Sequence, residues 1–158
     1  MADLPRVVPD LNVLVSGILA EQGGASTPPA RCLAAARSGA FRLCLSPGML
    51  TRLRQVLGYP KLGLDEESAD ALSREIAEWV SGDGWIPDPE PATGARRPVA
   101  LCPDAEDDNV LRVAIAAGAA YLVTGDAHLL RRLTPEGTRR CKRSGLAVVT
   151  AKEMVSER

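Results

Sequence analysis

The stretch Asp104–Asp126, DAEDDNVLRVAIAAGAAYLVTGD, carries two patterns in succession. Acidic residues crowd its start, where a helix N-terminus favours negative charge. Val110, Leu111, Ala114 and Ile115 then recur at helical spacing, and Gly118 is the residue type that commonly ends a helix. The spacing predicts a helix from about Ala105 to Ala117. Ala120–Thr124 follows as a short strand, closed by Gly125-Asp126. A helix feeding into a buried strand is half of a βαβ unit, so parallel partners for that strand are expected elsewhere in the chain.

Further strands are predicted at Arg6-Val7-Val8, Phe41–Leu45, Trp85-Ile86 and Leu146–Thr150. Helices fall between them. Asp65 offers an N-cap to one that carries Ala69, Leu72, Ile76, Trp79 and Val80. Ser46-Pro47 offers a cap and a first-turn proline to another, whose stripe is Met49, Leu50, Leu53, Val56 and Leu57 and whose stop lies near Gly58 and Pro60. Residues 87–103, with Pro87, Pro89, Pro91, Pro98 and Pro103, read as an extended surface crossing. Residues 133–145 read as a polar loop, and the last few residues as a fraying end. The alternation of strands and helices assigns the fold to the α/β class with a central, mostly parallel sheet, and 158 residues suit a single domain over 1–158.

Composition narrows the function classes. Hydrophobic residues at 46% and charged residues at 25% are those of a folding globular chain. With 19 basic against 20 acidic residues there is no global field toward nucleic acid or anionic membrane, so any such attraction must be local. The apolar run Val113–Val123 is about half of a bilayer crossing. Asp10 and Asn12 interrupt Val7–Leu19, which would otherwise resemble a signal-peptide core. Cys32, Cys44, Cys102 and Cys141 are widely spaced and His128 is the only histidine, so no structural zinc set can be assembled. Reduced thiols and a cytoplasmic location are expected.

Asp10, at the end of the first strand, Asp126, at the end of the fourth predicted strand, and Asp104, Asp107 and Asp108, on the helix leading into it, map where ligands bind in open parallel sheets. Two like charges about 4 Å apart repel by about 4 kcal/mol at an effective dielectric near 20. Such a cluster therefore calls for a proton or a cation, and hard oxygen donors select magnesium or manganese. Helix capping is the competing explanation for each: Asp104–Asp108 suit a helix N-terminus, Asp10 precedes a helix, and Asp126 stands before Ala127–Leu133. A second feature lies nearby. Arg131, Arg132, Arg139, Arg140, Lys142 and Arg143 are opposed only by Glu136, which reads either as a solvated surface or as a phosphate-tracking patch beside Asp126. His128 reads as an exposed first-turn residue, with proton shuttling the less economical role.

Val7-Val8-Pro9-Asp10-Leu11-Asn12-Val13-Leu14-Val15-Ser16, Ser46–Leu62, Asp104–Asp126 and Val148-Val149-Thr150 together resemble the PIN-domain family, closest to the toxin branch of toxin-antitoxin systems. The most specific part is the step from Asp108 to Asp126 with an apolar helix and strand between. The resemblance implies a three-layer α/β/α sandwich, Rossmann-like, and a magnesium- or manganese-dependent ribonuclease in which acidic residues hold metal that activates water against a phosphodiester. It implies Asp10, Asp108 and Asp126 as metal-site residues and Asn12 and Thr124 as supporting polar ones. Helical phase alone would choose Asp107, on the line of Val110, Leu111 and Ala114, whereas the spacing to Asp126 favours Asp108. The implied partners are RNA, a small antitoxin and a second copy of the chain, with no membrane. One departure stands out: Arg52 occupies the position where the family usually has a Glu on the helix after the second strand. A guanidinium cannot ligate a cation, so Arg52 is expected to pair with Asp10 or Asp126, to oppose metal, or to contact phosphate, and a non-catalytic PIN-like module is the alternative. A haloacid-dehalogenase-like phosphatase would need an Asp where Asn12 stands.

Overall fold

A computed structural model describes residues 3–89, 99–125 and 128–156. Strand β1 (Arg6–Pro9) lies inside the sheet, paired in parallel with β2 (Arg42–Leu43) on one side and β3 (Tyr121–Thr124) on the other. β4 (Ala147–Thr150) adds in parallel to β3, giving the order β2-β1-β3-β4. Val7 and Val8 point to opposite faces and both are fully buried, as are Leu122 and Val123, so helices must cover both sides. Right-handed crossovers explain how. Helices α1 (Leu11–Gln22) and α2 (Pro28–Arg37) carry the chain from β1 to β2. α3 (Pro47–Leu57), α4 (Glu66–Trp79) and α5 (Ala105–Ala116) carry it back past β1 to β3, and α6 (Pro135–Ser144) joins β3 to β4. α7 (Ala151–Ser156) returns to pack on α2. The all-parallel sheet between helical layers is the α/β/α arrangement expected of the sequence.

The strand order reverses about β1, so the carboxyl ends of β1 and β3 open onto one crevice. Pro9 is tolerated in this central strand because its missing N–H falls on the side of β2, whose pairing with β1 has ended at Leu43. Gly17 allows α1 to reach α2: a Cβ there would sit 2.8 Å from the Leu33 side chain and the Pro29 carbonyl.

Several local expectations change. The segment 133–145 is not a polar loop but contains α6, capped by Thr134, whose hydroxyl accepts from the Gly137 N–H at 3.0 Å, and ended by Gly145 at φ 73°. Its buried face consists of Gly137 and Cys141, too small to leave an aliphatic stripe. α2 was not anticipated for the same reason, since its core contacts are mainly alanines with Cys32 and Leu33. Trp85-Ile86 forms a single bridge to Leu45 rather than a strand. The chain forms α7 up to Ser156, and the last two residues, where fraying was expected, lie outside the described residues. The proline-rich crossing is not wholly at the surface: Leu101 and Cys102 are buried, while residues 90–98 lie outside the described residues.

Candidate active site

Asp10 leaves β1 with its N–H donating to the Val123 carbonyl at 2.7 Å, while its own carbonyl accepts from Val13 and Leu14 to begin α1. It therefore occupies the N-cap position, yet its carboxylate, though close enough to feel the first N–H groups of α1, makes no capping hydrogen bond of good geometry. Instead the buried Thr124 hydroxyl, at the end of β3, donates to Asp10 Oδ2 at 3.2 Å. Residues 114 positions apart thus meet because β1 and β3 are neighbours. Burial pushes the Asp10 carboxyl above its ordinary value; the Thr124 hydroxyl and the backbone N–H groups of Asn12 and Leu11 pull it back in part, and Glu106 pushes it up further. A carboxylate in this condition favours a proton or a cation. Asn12 itself is exposed in the first turn of α1.

The acidic turn of α5 divides its labour. Asp104 is the cap, accepting from the Asp107 N–H at 2.9 Å. Asp108 turns to the loop before the helix: its Oδ1 accepts from Leu101 at 2.6 Å and Cys102 at 3.3 Å, and its Oδ2 from Arg112 Nε at 2.7 Å. Partial burial raises the Asp108 carboxyl, but the Arg112 guanidinium and these two N–H groups outweigh it and hold it below the ordinary range. Asp107 Oδ2 lies 3.0 Å from Arg132, on the short 3-10 turn Leu129–Arg132 that follows β3. Asp126, the third residue expected at the metal site, lies outside the described residues.

A cleft of about 240 Å³ opens beside Asp10, lined by Leu11, Gly48, Met49, Arg52, Ala105, Glu106, Asn109 and Val110. The α5 residues that face it, Ala105, Glu106, Asn109 and Val110, form one helical stripe, so Asp107 and Asp108 both fall outside it, to either side. Arg52 comes from the exposed side of α3, whose start is fixed by the Ser46 hydroxyl and by the Asp88 carboxylate, both accepting backbone N–H groups. It pairs with Glu106 at 3.4 Å and donates to the Tyr59 hydroxyl at 3.0 Å, and does not pair with Asp10, one of the two pairings expected of it; Asp126, the other, lies outside the described residues. Glu106 and Asn109 were missed as site residues. Their spacing from Ala105 and Val110 was visible, but nothing in the sequence said which face of α5 would meet α3.

The basic residues spread over two elements. Arg131 and Arg132 are on the 3-10 turn, and Arg139, Arg140, Lys142 and Arg143 are on α6. Glu136 pairs with Arg139 at 2.6 Å. His128 is exposed. Among the described residues, no three His, Cys, Asp or Glu side chains gather closely enough to hold a metal ion. The donors that do converge, Asp10 with Glu106 nearby, are hard oxygens of the kind magnesium and manganese take, so donor chemistry fits such a cation without completing its site. No helix among the described residues is long and apolar enough to cross a membrane. A sequence model of the family described as PIN domain matches residues 6–128, from β1 to just beyond β3. No curated protein matches the chain.

Proposed function

Because this chain belongs to the PIN-domain family, whose fold is of nuclease type, we propose that it is a divalent-metal-dependent ribonuclease. The observation that carries this reading is the Thr124 hydroxyl donating to Asp10 at the carboxyl ends of β1 and β3, with Glu106 of the first turn of α5 lining the same cleft. Asp10 and Asp126 would hold the cation, magnesium or manganese. Of the two candidates on α5, Asp107 suits the third position better than Asp108, because both oxygens of Asp108 are engaged by the loop and by Arg112. Asp107 instead faces Arg132, which follows β3 closely. A cation bound there supplies Lewis acidity for attack of water on the phosphodiester. Thr124 orients the Asp10 carboxylate, and Asn12 stands at the edge as a supporting polar group. Arg131, Arg132 and the cationic side of α6 attract the RNA backbone toward an acidic site that would otherwise repel it. The finer reading is a cytoplasmic toxin held by a small antitoxin, working as a monomer or a homodimer.

Arg52 supports a second reading, a non-catalytic module that binds RNA or protein, because its guanidinium sits in the cleft beside Asp10. One experiment separates the two. Cleavage of single-stranded RNA in the presence of manganese, absent with chelator and abolished in Asp10→Asn and Asp126→Asn, is the expected result, with Asp126→Asn unfolding thermally near wild type. Cleavage that survives Asp126→Asn refutes the assignment; no cleavage together with no metal-linked rise in melting temperature favours the second reading.

A further inference from the structure

The cleft beside Asp10 contains more apolar wall than a phosphate needs. Leu11, Met49, Ala105 and Val110 line it, and its volume is about 240 Å³. A phosphodiester is strongly hydrated and is disfavoured by such walls, whereas a flat heteroaromatic ring gains from them. Besides Asp10, the polar side chains in the same cleft are Arg52, Glu106 and Asn109, types that read base edges. Arg52 and Glu106 stand 3.4 Å apart as a ready-made donor and acceptor, and the Tyr59 hydroxyl, 3.0 Å from Arg52, holds the guanidinium in place. The guanidinium only donates and the carboxylate only accepts.

Guanine answers both groups in full. Its O6 and N7 offer two acceptors to a guanidinium fork, and its N1–H and N2–H₂ offer two parallel donors to a carboxylate. Cytosine presents one amino group to the carboxylate, and adenine has no adjacent pair of acceptors. We propose, resting on the ribonuclease reading, that this cleft seats a guanine base of the RNA next to the bond that is cut. In this arrangement Arg52 takes O6 and N7 and Glu106 takes N1–H and N2–H₂. Base choice is thereby coupled to the position of the backbone at Asp10.

The test is binding, kept apart from cleavage. Fluorescein-labelled hexauridine and versions carrying a single central guanine, adenine, cytosine or inosine are titrated with the full chain in calcium, and affinity is read by anisotropy. The guanine oligonucleotide is expected to bind about tenfold more tightly than the adenine or cytosine ones, the scale of one good bidentate contact. Inosine lacks the N2 amino group. Wild type should therefore prefer guanine to inosine, Glu106→Gln should narrow that gap, and Arg52→Gln should narrow the margin over adenine while still preferring guanine to inosine. Both side chains are substantially exposed, at 44% and 72%, so neither change threatens folding. Affinities within twofold for guanine, adenine and cytosine in wild type would overturn the proposal, as would a guanine preference undiminished in both variants. Manganese-dependent cleavage of the same oligonucleotides without base preference sinks the guanine seat alone. Guanine preference with no cleavage of any of them sinks the ribonuclease reading alone.

Discussion

Asp10 and Asp108 are carboxylates of the same kind near helix N-termini, and their surroundings move them in opposite directions. The Asp10 carboxyl is raised, chiefly by burial, from an ordinary value near 3.8, so whatever stability it contributes is complete below that value and lost as pH rises through its folded pKa. At neutral pH this raised carboxyl is a cost that a cation would relieve. Asp10→Asn is therefore expected to raise the melting temperature at pH 7, with the gain vanishing as pH falls toward 4. Asp108 behaves in the reverse way. Its carboxyl is held down by Arg112 and two backbone N–H groups against the effect of burial, so its contribution is present above about 3.8 and lost as pH falls through the lower folded value. Asp108→Asn should cost about 2 kcal/mol at pH 7, because hydrogen bonds to a charged group are lost and Arg112 keeps its charge. Urea unfolding of both variants between pH 3 and 7 measures the contrast, and an Asp108→Asn protein as stable as wild type at pH 7 would remove its anchoring role.

At the scale of elements, Asp108 matters because of what its loop supports. Leu101 accepts from the Thr134 N–H at 2.9 Å and Ala100 accepts from the Thr134 hydroxyl at 2.6 Å, so the loop that Asp108 anchors also receives the start of α6. The contact is close enough that a Cβ on Gly137 would run into the Leu101 carbonyl. α6 is thus docked by Gly137 and Cys141, leaving Arg139, Lys142 and Arg143 in solvent on the other side. That orientation makes the basic patch testable. Lys142→Gln combined with Arg143→Gln should lower the slope of log affinity for single-stranded RNA against log salt by about 1.4, as for two phosphate contacts. An unchanged slope would return the patch to ordinary solvated surface.

For the whole molecule, the four cysteines serve as reporters of global opening. Cys32 lies on α2, Cys44 just beyond β2, Cys102 in the loop under α6 and Cys141 on α6, and all four are buried thiols. Burial also raises the thiols of Cys44, Cys102 and Cys141, which keeps them protonated and slow to react. Labelling with a thiol reagent should be slow at all four sites in the native protein and complete in urea. Fast labelling at Cys102 and Cys141 alone would show α6 opening independently of the sheet.

The sequence by itself determined the elements whose burial is written in large side chains. Val7-Val8, Leu122-Val123 and the stripe of Met49, Leu53 and Leu57 are placed by periodicity, and with them the α/β class and the parallel sheet. It also determined that Asp10 ends the first strand. Elements docked through small residues, α2 and α6, stayed hidden because Ala, Gly and Cys leave little hydrophobic signal. The site was legible as a set of acids but not as an arrangement. Which face of α5 meets α3, that Arg52 turns to Glu106 and Tyr59, and that Asp108 serves a loop rather than the cleft depend on contacts between distant segments. Only tertiary packing decides these, because a helix offers its polar residues in every direction and the neighbouring element selects among them.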